Sequence, residues 1–412
     1  MSQLDTAPLP PAQPPPSPSP SPSPTYPYGF YPPATPAPRK RQGRRAAELA
    51  TVAVLAASLA SGGTYAVTRA TAPATASSSN SATTVRTIAP VVQADPAAPD
   101  WAATAKAVTP SVVSVSVASA QAEGEGSGVV IDTAGHILTN NHVATGAGPG
   151  AKLSVTLSDG RTYQATIAGT DAATDLAVLN LQSPPTDLVP IAVGDSAALA
   201  VGQQVMAVGN PLGLAGTVTT GIVSALDRPV STGSSDSGSR AGGDPVVVNA
   251  IQTSAAINPG NSGGALVTAS GQLIGINSSI ASLGTSTGQS GNIGIGFAIP
   301  INEAKGIADQ LIRKGSADHA YLGVSSADGT VPDGSSTRTA AILRTVAANT
   351  PAAAAGLRSG DAVIALGGKR IDSSLALVAA IRAHQIGDVV TATIVCDGQR
   401  SDISVSLTAR PH

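Results

Sequence analysis

Aromatic side chains are nearly absent from this chain: two Phe, one Trp and six Tyr make up 2% of its 412 residues. A core without rings has to be assembled from Val, Ile, Leu and Ala. Charge is scarce as well, with 12% Asp, Glu, Lys and Arg and a net charge of −2. That balance leaves no basic folded face, which argues against nucleic acid as the main partner. The single Cys396 excludes an intrachain disulfide and says little about compartment. A lone cysteine is more often a small buried hydrophobe than a nucleophile. No CxxC, HExxH, Walker A or clustered metal-ligand pattern occurs, so neither a metal nor a cofactor is expected.

Turn formers are plentiful instead, with 44 Gly and 32 Pro, and their distribution divides the chain. Residues 1–45 contain "PPPSPSPSPSP" and close with the basic cluster "RKRQGRR". This composition predicts a disordered, polyproline-like tail, either solvated or a docking segment for proline-recognising partners. Residues 46–68 carry no charge from Leu49 to Thr68, and about 20 apolar residues can span a bilayer. Basic residues on the N-terminal side predict a cytoplasmic N-terminus. The rival is a cleaved signal peptide, but such peptides lie in the first 15–30 residues or so. An uncleaved single-pass anchor is therefore expected, with everything after it outside the cytoplasm. Residues 69–100, rich in Ala, Thr, Ser and Pro, read as a flexible tether.

From Trp101 onward, short runs rich in Val, Ile and Thr are broken by Gly, Asp or Asn, as in "PSVVSVSVAS", "DLAVLNL" and "GQLIGINSSI". Many short strands at near-regular spacing predict antiparallel barrels or sandwiches. Helical spacing arrives in "PINEAKGIADQLIRKG", with Ala304, Ile307, Ala308, Leu311 and Ile312 on one face and Gly315 as the stop. This helix closes a domain over 101–315. Residues 320–408 form a smaller α+β unit. It contains a short helix capped by Thr350, a second helix with Leu375, Val378 and Ile381 on one stripe, and a hairpin at Asp397-Gly398.

A serine hydroxyl becomes a nucleophile only beside a base, which in turn needs an orienting group. In "INPGNSGGAL", Ser262 stands among small residues that let backbone N–H groups converge, although an ordinary turn would also read this way. His142 directly follows the strand "ILTNN", where it could be aimed into a cleft or be a polar turn residue. In "DAATDLAVLNL", Asp175 leads into an apolar run that favours burial, and a strand-start cap is its bland alternative; Asp171 reads as a loop residue. Together they have the chain order His, Asp, Ser of chymotrypsin-type double barrels, unlike subtilisin-type or α/β-hydrolase folds.

The segments "TNNHV", "TDLAVL", "NPGNSGGAL" and "GFAIPI" resemble the signature segments of the HtrA/Deg serine endopeptidases, and the likeness covers about residues 101–408. The resemblance implies a mainly β fold, with a chymotrypsin-like double six-stranded β-barrel followed by a small PDZ domain. It implies His142 as general base, Asp175 as orienting carboxylate and Ser262 as nucleophile. Backbone N–H groups of Gly260 and Ser262, with Asn261 between them, would form the oxyanion hole. The base of the specificity pocket would lie near Ala256, where no acidic residue stands, so small or medium aliphatic side chains are expected at the cleavage site. "YLGV", Tyr321, Leu322, Gly323 and Val324, matches the carboxylate-binding loop that would take C-terminal peptides. The short segment "SAQAEGEG" lacks the insertion of cage-forming members, so a homotrimer is expected. The Gly/Ser-rich stretches Ser231–Gly243 and Ser282–Asn292 would order when substrate or a PDZ ligand binds. The implied activity is ATP-independent cleavage of unfolded or damaged extracytoplasmic proteins. A PDZ-bearing chaperone or scaffold with little proteolysis, and a narrow protease of envelope stress signalling, are the alternatives.

Overall fold

A computed structural model of the chain describes residues 90–95, 98–211, 216–232, 246–279, 294–396 and 398–410. The proline-rich tail, the apolar segment 46–68 and most of the tether lie outside the described residues, as do 233–243 of the first Gly/Ser-rich stretch and all of the second, 282–292. Among the described residues, no helix is long and apolar enough to cross a membrane.

Helix α1 (Trp101–Val108) leads into six strands: β1 (Val112–Ala118), β2 (Glu123–Val130), β3 (His136–Asn140), β4 (Lys152–Thr156), β5 (Thr162–Asp171) and β6 (Leu176–Leu181). A single helical turn, α2 (Asn141–Thr145), follows β3. The strands close into a barrel in the order β1-β2-β3-β6-β5-β4. The next six are β7 (Gln204–Gly209), β8 (Thr217–Thr232), β9 (Val246–Thr253), β10 (Ala265–Thr268), β11 (Leu273–Ser278) and β12 (Gly296–Pro300). These close a second barrel in the order β10-β11-β12-β9-β8-β7. Closure leaves no free sheet edge in either.

The aliphatic composition suits this architecture because alternate residues of one strand serve two cores. In β7, Val205 and Ala207 join Ile251, Leu266 and Ile274 in one cluster. Met206 and Val208 join Leu138 and Val178 of the first barrel in another. Helix α3 (Ile301–Lys314) packs Ala304, Ile307, Ala308 and Leu311 into the same inter-barrel cluster. Ile312 lies at its margin, and Gly315, at φ +76°, ends the helix with its N–H on the Leu311 carbonyl.

The segment between β1 and β2 is shorter than "SAQAEGEG", because Glu123 to Gly126 already pair with β1. The end of the tether differs from expectation too. The N–H of Val91 donates to Ser270 O at 2.9 Å, and the Gln93 carboxamide donates to Ala269 O at 2.7 Å. These bonds dock Val91 and Gln93 on the second barrel.

The C-terminal unit contains β13 (Ala320–Tyr321), β14 (Val324–Asp333), β15 (Ser336–Val346), α4 (Pro351–Ala354), β16 (Ala362–Leu366), β17 (Lys369–Arg370), α5 (Ser374–Arg382), β18 (Val389–Cys396), β19 (Gln399–Ser406) and β20 (Thr408–Ala409). Its main sheet runs β14-β15-β16-β18-β19, with β14 at the edge. Thr350 caps α4 by accepting from Ala353 N, and Gly398, at φ +76°, lies in the β18–β19 hairpin. On α5 the core takes Leu377, Ala380 and Ile381. Leu375 and Val378, predicted on the buried stripe, are only half-buried.

Candidate active site

His142 is the second residue of α2, one step further from β3 than the sequence implied. The junction is tied to Asp175. Asn140 Nδ2 and Asn141 N both donate to the Asp175 carbonyl, at 2.9 and 3.0 Å. His142 N donates to Asp175 Oδ1 at 3.0 Å, and His142 Nδ1 lies 3.0 and 2.9 Å from the two carboxylate oxygens. With Nδ1 facing a carboxylate, the neutral ring carries its proton there and Nε2 keeps a lone pair. Asp175 is 2% exposed and sits at φ +58°, a region that non-glycine residues seldom enter. Its carboxylate thus faces the imidazole instead of capping β6.

Ser262 lies between β9 and β10, in a loop pinned to the first barrel by Ser127. Ser127 N donates to Ser262 O at 2.8 Å, and Ser127 Oγ donates to Gly260 O at 2.6 Å. Gly263 has φ +82°, and a Cβ there would lie 2.1 Å from Ser127 O, so only glycine fits. The N–H groups of Asn261, Gly263 and Gly264 go to the carbonyls of Asn258, Asn277 and Asn261. Those of Gly260 and Ser262 have no partner among the described residues.

Two residues that the sequence did not single out join these halves. Ser278 Oγ donates to Asp175 Oδ2 at 3.2 Å. The Ser262 and Ser279 hydroxyls are 2.5 Å apart, and Ser279 N donates to Ser262 Oγ at 3.0 Å. One dipeptide at the end of β11 therefore touches both the serine and the aspartate. The only sequence signal for it was a pair of hydroxyls ending the apolar run "LIGIN".

The other described histidines lie elsewhere. His136 Nδ1 pairs with Asp132 at 2.6 Å within its own turn, and His384 pairs with Asp388 at 3.4 Å. Asp171, read as a loop residue, is instead the last residue of β5 and is buried. Burial opposes its charge. Hydrogen bonds from His319, Thr174 and Ala173, with the His319 charge, outweigh that and hold its carboxyl below the ordinary aspartate value.

Ala256 is half-buried, its carbonyl accepting the Thr219 hydroxyl at 2.8 Å. In the C-terminal unit, Gly323 has φ +87° and packs so tightly on Thr350 that a Cβ would lie 2.2 Å away. Tyr321, Leu322, Gly323 and Val324 line a cavity of about 430 Å³ against Leu377 and Ile381 of α5. Edge strand β14 borders it, the arrangement in which an extended peptide adds as a further strand.

Residues 126–276 match the trypsin-like peptidase domain family, and residues 320–407 match the PDZ domain family. The serine protease PepD of Mycobacterium tuberculosis is 42% identical over 370 residues, covering 88% of this chain and 77% of PepD. The chain belongs to the HtrA/Deg family of serine proteases. The periplasmic serine endoprotease DegP of Escherichia coli, another HtrA/Deg relative, is 40% identical over 286 residues, which is 68% of this chain and 56% of DegP. The HtrA-type protease AlgW, solved with a tripeptide, matches with a TM-score of 0.53 and 30% identity over 76% of this chain and 98% of that one. AlgW with a decapeptide matches with a TM-score of 0.52 and 28% identity over 76% and 99%. As a family member the chain is a serine endopeptidase with one trypsin-like and one PDZ domain.

Proposed function

We propose that this HtrA/Deg protease cleaves unfolded or damaged proteins outside the cytoplasm through Ser262, His142 and Asp175. The observation that carries the reading is the His142 Nδ1 contact with the buried Asp175 carboxylate at 2.9 Å, joined to Ser262 through Ser278-Ser279. His142 Nε2 takes the Ser262 hydroxyl proton as Oγ attacks the scissile carbonyl, and returns it to the leaving amine. Asp175 holds the imidazole and stabilises its charged form. The hydroxyl starts on Ser279 and turns to Nε2 when substrate arrives. The N–H groups of Gly260 and Ser262 receive the oxyanion; Asn261, whose N–H is taken by Asn258, supplies spacing. Each such donor contributes about 100- to 1,000-fold in rate.

A pocket based near Ala256, with no acidic side chain between residues 246 and 262, selects small or medium aliphatic side chains. The Tyr321–Val324 loop takes peptide C-termini and regulates the protease. The segment 46–68 anchors a homotrimer in the membrane, with the protease and PDZ domains extracytoplasmic. The test is casein cleavage by the chain from residue 90 onward alongside Ser262→Ala. Native cleavage and none by the variant is expected, as is fluorophosphonate labelling that disappears with Ser262. Labelling retained in Ser262→Ala would overturn the assignment, and a peptide-library profile dominated by Arg or Lys would overturn the pocket.

A further inference from the structure

The turn that carries Asp175 is held from outside the protease barrels. His319 Nε2, one residue before the PDZ unit, lies 3.0 Å from Asp171 Oδ1, where β5 ends. Arg382, the last residue of α5, donates from Nη1 to Ala173 O at 3.2 Å and to Val247 O at 3.4 Å. Val247 N donates to the same Ala173 carbonyl at 3.3 Å. Inside the turn, the Thr174 hydroxyl and Ala173 N bond the Asp171 carboxylate. The first and third residues of the five-residue turn are thus fixed by His319, just before the PDZ unit, and by Arg382 within it. Its last residue, Asp175, is fixed by β3 and α2.

Asp175 needs such support. Its φ of +58° is a conformation that a non-glycine residue keeps only where the surroundings impose it. The His142 contact also tolerates little displacement, since orientation of a catalytic group is lost steeply with small shifts. We propose that His319 and Arg382 are positioning residues for peptide-bond cleavage: they hold the Asp171–Asp175 turn so that the Asp175 carboxylate meets His142 Nδ1. The inference rests on the reading of Asp175 as the group that orients His142.

The experiment measures kcat and KM of the full chain on a short peptide amide, which has no C-terminal carboxylate for the PDZ groove. Melting temperature and the low-field NMR signal of the His142 Nδ1 proton are recorded alongside. Arg382→Ala and His319→Ala are each expected to lower kcat about tenfold, leave KM within about twofold and shift or broaden the proton signal. Arg382→Lys and His319→Gln keep a donor and should recover kcat to within about threefold of native. Asp171→Asn, nearly isosteric, weakens the same contact should the alanine variants not fold, and its kcat should fall several-fold. Folded alanine variants with native kcat and an unmoved proton signal would overturn the proposal. So would equal losses in the Lys and Gln variants. Either result with native turnover and Ser262 labelling intact leaves the triad standing; a native chain without turnover or labelling removes the triad itself.

Discussion

Ser278 is a single hydroxyl whose removal isolates one contact in the site. Its partner Asp175 keeps two other donors, from the His142 backbone and ring. A hydrogen bond to a charged group contributes about 1.5–3 kcal/mol. Ser278→Ala is therefore expected to lower kcat roughly tenfold or more with KM little changed, measured on a peptide substrate. Unchanged kcat would show that the two remaining donors suffice. Glu303 of α3 makes a different residue-scale prediction. Both its carboxyl oxygens are enclosed, with no hydrogen-bond partner among the described residues. Burial, and secondarily the Asp171 charge, push its pKa up to about 8, against the opposing charges of Arg382 and Lys369. The folded chain therefore keeps a proton that the unfolded chain releases above about 4.5, and stability falls as pH rises from there through about 8. Glu303→Gln should flatten that slope in melting temperature against pH, with its largest gain over native near pH 8. His142, Asp175 and Ser262 were picked out together, by their chain order and the signature segments that hold them, since each alone also read as an ordinary turn or cap. Ser278 was not, because its partner lies 103 positions away and only barrel closure brings them together.

At the scale of elements, alternation along strands and the 3.6-residue repeat of α3 carried the reading. Leu311, fully buried between the barrels, is its clearest case. Leu311→Ala should cost about 2–5 kcal/mol in denaturant unfolding, because it leaves a cavity between rigid sheets. A loss below about 1 kcal/mol would mean that the seam can collapse. Helix α5 was harder to orient. "LALVAAI" is apolar all round, so periodicity could not choose between the faces. Leu377 and Ile381 belong both to the core and to the wall of the cavity beside Tyr321–Val324, while Val378 lines that cavity without joining the core. The tether's last residues escaped for another reason: their hold on the barrel includes a side-chain amide and a backbone N–H, which no hydrophobic pattern announces.

At the scale of the molecule, the scarcity of aromatics and charge is accounted for by two closed barrels that share a third core between them. The order of domains was readable because composition shifts sharply near residue 101. The bond between the PDZ unit and the Asp171–Asp175 turn was not, because an arginine on a short helix gives no sign of which distant carbonyl it will reach. The pinning of the Ser262 loop by Ser127 has a temporal consequence. A chain made from its N-terminus holds His142 and Asp175 once the first barrel is complete, but it lacks Ser262, the nucleophile of the proposed triad. Ser262 then arrives before Ser278, the third donor to the Asp175 carboxylate. The three groups therefore come together only once most of the second barrel exists.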